Sequence, residues 1–142
     1  MKEEKEKIAF GTEEWCSKTT NIINGCEHDC KYCYAKSIAI RFKRKTADTW
    51  VEEIVNDTNL DKKFPKVEGR VMFPSTHDIT PDNLQYSLQH LQSILCAGNE
   101  VLIVTKPHLE VIEKLCEEFI DYKDKILFRF TIGSTNNEVL KF

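Results

Sequence analysis

The second half of the chain alternates between short apolar runs and amphipathic runs, and this alternation limits the fold more than any other feature. The runs "GRVMFPS" (69–75), "EVLIVTK" (100–106) and "KILFRFTIG" (125–133) predict buried strands. An earlier β-leaning run, "TTNIING" (19–25), predicts a first strand that ends at its glycine. Four strands separated by longer polar-apolar segments are typical of an α/β protein.

The segments between the strands have helical spacing. Thr80 as N-cap, Pro81 at the first helical position and Gly98 after the end predict one helix, and its inward stripe is Leu84, Leu88, Leu91 and Leu95. A helix over 107–122 would face inward with Ile112, Leu115, Phe119 and Tyr122. Two earlier helical segments are predicted over 34–45, with Tyr34, Ile38 and Phe42 in line, and over 49–55, with Trp50, Val51, Ile54 and Val55 on one face. We therefore predict an α/β fold with about four parallel strands and intervening helices.

Polar residues follow the predicted strands. Right-handed crossovers place the carboxyl ends of parallel strands on one side of the sheet. The segments "NGC", "PSTHD", "TK" and "TIGST" should therefore share one rim, where α/β proteins place their chemistry.

Composition fits one globular domain of 142 residues, with 41% hydrophobic residues and a formal net charge of −3. This charge provides no global basic field for nucleic acid, and no apolar run approaches the roughly 20 residues of a membrane span, so no membrane partner is predicted. Residues 1–18 form a polar lead-in without a signal peptide, and 19–142 form the domain. Six cysteines without a secretory signal indicate a reducing compartment, and we predict a cytoplasmic protein.

Three thiols stand within "NGCEHDCKYCYAKS" (24–37), and they belong to Cys26, Cys30 and Cys33. Their i, i+4, i+7 spacing would also suit the buried stripe of a helix. Gly25 and Asp29 are poor helix formers, and no aliphatic residue follows Gly25 before Ala35, which argues against that stripe. A loop that wraps a metal site is the better interpretation.

Zinc is one interpretation of this loop, and a non-enzymatic zinc-binding module is the alternative function. His28 is the nearest fourth ligand and would complete a Cys3His set. However, His28 lies two positions from both Cys26 and Cys30, so joint ligation would strain the loop. The other cysteines, Cys16, Cys96 and Cys116, form no second CxxC pair.

An iron–sulfur cluster is the other interpretation. Three thiolates leave one iron of a [4Fe–4S] cluster open, whereas an electron carrier would use a fourth thiolate. The spacing CxxxCxxC, with Tyr32 before the last cysteine, resembles the signature of the radical S-adenosylmethionine (SAM) superfamily. "NIINGCEHDCKYCYA" is most similar to the spore photoproduct lyase-like subgroup, and "STHD", "VTK" and "FRFTIGST" follow in a similar order. The resemblance covers about 19–142.

The resemblance implies a partial (βα) barrel in which Cys26, Cys30 and Cys33 bind the cluster and SAM binds the open iron. Reduction of the cluster then cleaves SAM to a 5′-deoxyadenosyl radical. An electron donor such as flavodoxin or ferredoxin is implied as a partner. Lyase activity and DNA repair, with nucleic acid as a partner, follow only by analogy with the subgroup, and the substrate is not indicated by the sequence.

The same resemblance implies roles for residues around SAM. Tyr32 would contact the adenine, although simple packing of the loop also explains it. Ser75 and Thr76 would lie near the methionine end, or cap a strand end. Lys106 ends an apolar strand and would pair with the SAM carboxylate or a substrate anion. Thr131, Ser134 and Thr135 match a hydroxyl-bearing stretch that meets the ribose or carboxylate.

The sequence departs from the subgroup at two points. The subgroup places an acidic residue directly after Ser-Thr, but here His77 precedes Asp78, and the roles of both stay open. The family core has six βα units, and this sequence stops after the fourth strand, so we expect a truncated protein, a fragment or half of a split gene. The strand 126–132 would then be an exposed apolar edge that favours self-association.

Overall fold

The structure, a computed structural model, describes residues 8–133. Its strands are β1 (Lys18–Thr19), β2 (Ile23–Asn24), β3 (Ile54–Val55), β4 (Arg70–Met72), β5 (Glu100–Thr105) and β6 (Ile126–Phe130). Its α-helices are α1 (Tyr34–Arg41), α2 (Asp57–Asp61), α3 (Leu84–Cys96) and α4 (Leu109–Glu118). Two 3-10 segments cover Gly11–Glu14 and Ile120–Lys125. None of the helices found in 8–133 is long and apolar enough to cross a membrane.

Four strands form one parallel sheet in the order β1-β4-β5-β6. Val71 of β4 pairs with Val101 of β5, and Thr105 of β5 pairs with Phe130 of β6. The predicted α/β fold with four parallel strands and intervening helices is confirmed. The three later strands lie inside their predicted ranges but are shorter.

The main core lies where α3 and α4 meet the two central strands. Val71, Val101 and Ile103 are fully buried in the sheet, and Leu91 and Leu115 reach them from the helices. The remaining inward residues predicted for the two helices also belong to this core or pack against it; they are Leu84, Leu88, Leu95, Ile112, Phe119 and Tyr122. The amphipathic spacing therefore predicted these faces correctly.

The first predicted strand is divided. Only β1 joins the main sheet, while β2 pairs antiparallel with β3 in a separate two-stranded sheet. The helix predicted over 49–55 is wrong, because turns lead into β3 there. The Thr46 backbone N–H donates to Oγ1 of Thr49 at 2.9 Å, and the Thr49 backbone N–H donates to Oγ1 of Thr46 at 3.2 Å. These two hydrogen bonds stabilise a turn in place of the predicted helix.

The line of large residues on α1 does not form its buried face, and the helix ends at Arg41 rather than at the predicted 45. Its large residues Tyr34, Ile38 and Phe42 are exposed. The buried face consists of Ala35 and Ala39, which pack with Cys26 and Trp50 in a second, small core. Small side chains let the helix approach the cysteine loop closely, so size rather than hydrophobicity decides which face is buried.

Helix α3 begins at Leu84, not at Thr80 or Pro81 as predicted. The backbone N–H of Thr80 donates to Oδ1 of Asn83 at 3.1 Å, so 80–83 forms a turn before the helix. Gly98 adopts φ +84° directly after the helix, as predicted for a C-terminal glycine. Helix α4 is likewise shorter than predicted, since the chain tightens into the 3-10 segment before β6.

Candidate functional site

The cysteine loop begins where Gly25 allows the chain to pass very close to another segment. Gly25 has φ +102°, and a Cβ atom there would lie 2.5 Å from the carbonyl oxygen of Glu52 and 2.6 Å from that of Trp50. The next residue, Cys26, donates its backbone N–H to the Trp50 carbonyl at 3.1 Å. A glycine is therefore required for the loop to close onto 50–52.

The three thiols of this loop are free and differ in their surroundings. Cys26 is buried, while Cys30 and Cys33 are half-buried. Cys33 is the N-cap of α1, and its Sγ accepts a hydrogen bond from the Lys36 backbone N–H at 3.4 Å, which fixes the thiol at the start of the helix. Burial raises the pKa of Cys26 to about 11. Without a bound metal, that thiol keeps its proton at neutral pH.

One pocket joins the cysteine loop to the rim of the main sheet. It has a volume of about 180 Å³. Its walls include all three cysteines and the predicted rim residues Ser75, Thr76, Lys106 and Thr131. The structure thus brings together seven of the residues singled out from the sequence, drawn from a loop and three strand ends.

Lys106 is the cation of this pocket. Its Nζ donates to the Sγ of Cys30 at 3.0 Å and to Oδ2 of Asp78 at 3.2 Å. Burial lowers the pKa of Lys106, but its hydrogen bond to Cys30 and the charge of Asp78 outweigh that effect and raise the pKa above its ordinary value. Lys106 is therefore a permanent positive charge beside a metal-ligand candidate.

Among the predicted residues that the structure describes, Tyr32 lies apart from this pocket. Tyr32 is 70% exposed and does not line the pocket; a Cβ atom placed on Gly133 would lie 3.4 Å from its hydroxyl oxygen. Tyr32 therefore lies on the surface outside the pocket, next to Gly133, which follows β6. Ser134 and Thr135 lie outside the described residues.

Asn21 holds one wall of the pocket and was missed in the sequence. Its Oδ1 accepts hydrogen bonds from the backbone N–H groups of Ser75 and Thr76 at 2.7 and 2.9 Å. Its Nδ2 also donates to Oγ of Ser75 at 2.8 Å. Tyr34 adds a further contact, because its hydroxyl donates to the Ser75 carbonyl at 2.7 Å. The available signal was an asparagine inside the predicted strand 19–25, where this residue type is unusual.

His77 and Asp78, whose roles the sequence left open, have different surroundings in the structure. His77 is buried, and its Nε2 accepts the Ile22 backbone N–H at 3.4 Å. Burial lowers the pKa of His77 to about 4, so it is a neutral residue that supports the fold. Asp78 faces the pocket, where its carboxylate meets Lys106 and Nδ1 of His28, the latter at 2.9 Å.

His28 does not complete the set of ligands that zinc would need. One ligand atom each from Cys26, His28 and Asp78 lies within 4.8 Å of the others, and in the described part of the chain this group includes neither Cys30 nor Cys33. The predicted Cys3His set is therefore not assembled.

The indole N–H of Trp50 indicates whether the pocket suits a group that contains sulfur. Its indole Nε1 is buried and has no hydrogen-bond partner among residues 8–133. The side chain belongs to the same small core as Cys26, against which Cys33 packs, and it lines the pocket. An unpaired buried donor is costly unless an acceptor is supplied, and the sulfides of an iron–sulfur cluster are such acceptors. The residues present therefore fit a cluster.

These features define a class of protein: a parallel α/β sheet whose rim carries a pocket lined by three thiols. The family model of the Radical SAM superfamily matches residues 20–142, and the chain belongs to this superfamily. The four-strand sheet agrees with a partial radical SAM (βα) barrel. Membership indicates iron–sulfur and SAM-cleaving chemistry as the general function of such a domain.

A curated relative is the uncharacterized protein ORF301 of Acidianus two-tailed virus. It is 29% identical over 126 residues, and the alignment covers 80% of this chain and 41% of the viral protein. The chain thus spans less than half the length of that relative. No solved structure matches the chain.

Proposed function

We propose that this chain binds a [4Fe–4S] cluster through Cys26, Cys30 and Cys33 and holds SAM beside it for reductive cleavage. One observation supports this above all: three free thiols and four rim residues of different strand ends line a single pocket. When bound, the cluster would supply the electron that cleaves SAM to a 5′-deoxyadenosyl radical.

The residues of the pocket would orient SAM. The Lys106 ammonium already contacts the carboxylate of Asp78, and a SAM carboxylate would offer it the same kind of partner. Ser75, Thr76 and Thr131 line the same pocket, and their hydroxyls would bond to SAM. The same role is proposed for Ser134, which lies outside the described residues. The exposed ring of Tyr32 would cover the adenine from outside.

The partners in this proposal are SAM and a one-electron donor such as flavodoxin or ferredoxin. A lyase-like reaction on DNA rests only on similarity of the cysteine motif to the spore photoproduct lyase-like subgroup. The net charge of −3 does not favour nucleic acid. The reaction of the whole protein is accordingly proposed at the level of SAM cleavage alone.

Anaerobic reconstitution tests cluster binding. We expect about four irons and four sulfides per chain. Cys26→Ala, Cys30→Ala or Cys33→Ala should each abolish uptake, while Cys96→Ala and Cys116→Ala should keep it because both residues are exposed cysteines outside the pocket. Zinc at one equivalent, without sulfide, would instead favour the zinc-binding module.

SAM cleavage is measured separately. After reduction of the reconstituted protein, 5′-deoxyadenosine should form in proportion to cluster content, and it should be absent from the three loop variants. A bound cluster with no cleavage would mean that the chain holds the cofactor but needs further protein for the reaction.

We further propose that the chain associates with itself through β6. This strand ends the sheet order found in residues 8–133, and its Leu127 and Phe130 are 45% and 40% exposed. An open apolar edge is a template for pairing. Size-exclusion chromatography should show dimers or larger species that Leu127→Lys reduces, whereas Leu109→Lys on α4 should not; a stable wild-type monomer would contradict the proposal.

A further inference from the structure

Two histidines meet beside the cysteine pocket. Nε2 of His28, in the cysteine loop, lies 3.0 Å from Nε2 of His108, the residue that precedes α4. The residues are 80 positions apart, and both side chains are partly exposed. Two ring nitrogens at this distance can share one proton in a hydrogen bond, or they can both bind one metal ion.

A carboxylate completes the group. A carboxylate oxygen of Glu27 and one nitrogen each of His28 and His108 lie within 4.8 Å of one another. Glu27 is exposed, so its side chain can adjust toward an ion that enters from solvent. Two imidazoles and one carboxylate form a ligand set that suits divalent transition metals.

Asp78 holds the His28 ring in the way that is usual for a metal-binding histidine. Its Oδ2 lies 2.9 Å from Nδ1 of His28. A carboxylate that holds one ring nitrogen as N–H leaves the lone pair of the other nitrogen free, and metal-binding histidines usually have such a partner. With Nδ1 of His28 held in this way, the free lone pair is that of Nε2, which is the atom 3.0 Å from His108.

The distance between the rings also fits an ion. With metal–nitrogen bonds of roughly 2.0–2.1 Å, nitrogens 3.0 Å apart subtend about 95° at the metal. That angle is close to the right angle between neighbouring ligands of an octahedral ion such as Fe²⁺, Co²⁺ or Ni²⁺. Tetrahedral zinc would require the rings to separate by a few tenths of an ångström.

We propose that Glu27, His28 and His108 bind a divalent first-row transition-metal ion that is distinct from the group held by the cysteines. The two nitrogens of His28 point in different directions, with Nδ1 toward Cys26 at 3.7 Å and Nε2 toward His108. The ion therefore lies on the Nε2 side of the ring, away from the thiol of Cys26. Bound there, it clamps the cysteine loop to the start of α4.

Cobalt titration of a chain with Cys26, Cys30 and Cys33 all replaced by Ser tests this site without thiol ligands. We expect one equivalent of Co²⁺ to bind with weak visible bands of nitrogen and oxygen ligation and no thiolate charge-transfer band. His28→Ala and His108→Ala should abolish binding. Asp78→Asn should weaken it by about 10- to 100-fold, the usual effect of losing a partner of a ligand histidine.

Glu27→Gln should weaken Co²⁺ binding at least about tenfold, and Glu110→Gln is the matched control because it removes an exposed carboxylate in the first turn of α4. Since the triple variant can fail to fold, the melting temperature of the intact chain is measured as well. Co²⁺ should raise it in the intact chain, and His108→Ala should reduce that rise while leaving any thiolate band unchanged. Co²⁺ binding that is unaffected by His108→Ala, or an intact chain with no metal-dependent rise, would overturn the proposal.

Discussion

The ammonium of Lys106 donates a hydrogen bond to the Sγ of Cys30 across 3.0 Å of the pocket, although 76 positions separate the two residues along the chain. Lys106 directly follows β5, whereas Cys30 belongs to the loop before α1. The cysteine loop lies over the end of β5 in the folded chain, and this brings the two residues into one pocket. A fixed cation therefore lies against a thiol that is proposed to bind iron.

Lys106→Met should weaken SAM binding by about 10- to 100-fold, because hydrogen bonds to charged groups contribute about 1.5–3 kcal/mol. It should also make the cluster potential more negative, since a positive charge beside a ligand sulfur is lost. Anaerobic equilibrium binding and potentiometric titration measure the two effects. Lys106→Arg should keep most of both properties, and Lys114→Met, on the surface of α4, should change neither. Unchanged SAM affinity in Lys106→Met would contradict the assigned role.

Gly25→Ala should destabilise the chain strongly. The added Cβ would lie 2.5 Å from one backbone oxygen and 2.6 Å from another, and neither backbone segment can move aside cheaply. We expect a loss of at least about 2 kcal/mol in the free energy of unfolding, measured by urea denaturation, together with poor cluster uptake.

Gly11→Ala is the control for Gly25→Ala. Gly11 also has a positive φ, +64°, but a Cβ there would meet nothing within 4 Å. Gly11→Ala should therefore lower the free energy of unfolding by only about 1 kcal/mol, the cost of a positive φ for a residue with a Cβ atom. Equal losses in the two variants would show that the close approach at Gly25 does not matter.

Strands and helix faces were predictable where local pattern and burial agree. The run that forms β5 is continuously apolar because the strand is central in the sheet, and its six residues lie inside the predicted range. The same holds for the leucine stripe of α3. The cysteine spacing likewise placed three thiols on one loop, since that depends on residues close in sequence.

Contacts between distant segments were not predictable from local pattern. Nothing near Tyr34 shows that the two alanines of α1 are buried instead, because the reason is the approach of Trp50. Asn21 was missed because its partners, Ser75 and Thr76, lie more than fifty positions away. Side-chain networks that close a pocket require the tertiary fold to be known.

Trp50→Phe removes the unpaired indole N–H of a side chain that belongs to the same small core as Cys26. In the metal-free chain the free energy of unfolding should change by no more than about 1 kcal/mol, because loss of volume and removal of an unpaired donor oppose each other. In the reconstituted chain the cluster potential should become more negative, since hydrogen bonds to cluster sulfurs raise it. Trp15→Phe, a change at a half-exposed ring, should leave the potential unaltered. Equal potentials in wild type and Trp50→Phe would exclude the indole as a donor to the cluster.

Stability should fall in acid because of His90, which is almost fully buried and contacts the rings of Phe64 and Phe73. Burial, reinforced by nearby His77, lowers the pKa of His90 from 6.5 to about 4. The unfolded chain therefore binds a proton at higher pH than the folded chain does. The resulting stabilisation is complete above about pH 6.5 and is lost as the pH falls toward 4, by up to roughly 3 kcal/mol.

Urea denaturation of the metal-free chain at several values between about pH 7 and about pH 4 measures this loss. His90→Phe keeps an aromatic ring against Phe64 and Phe73 but cannot be protonated, so its stability should depend less steeply on pH over the same interval. The variant gives up the hydrogen bond between Thr20 and Nε2 of His90, which lowers stability equally at every pH and does not affect the slope. If wild type and His90→Phe lose stability in parallel as the pH falls, the acid sensitivity does not come from this histidine, and the buried His77 becomes the next residue to replace.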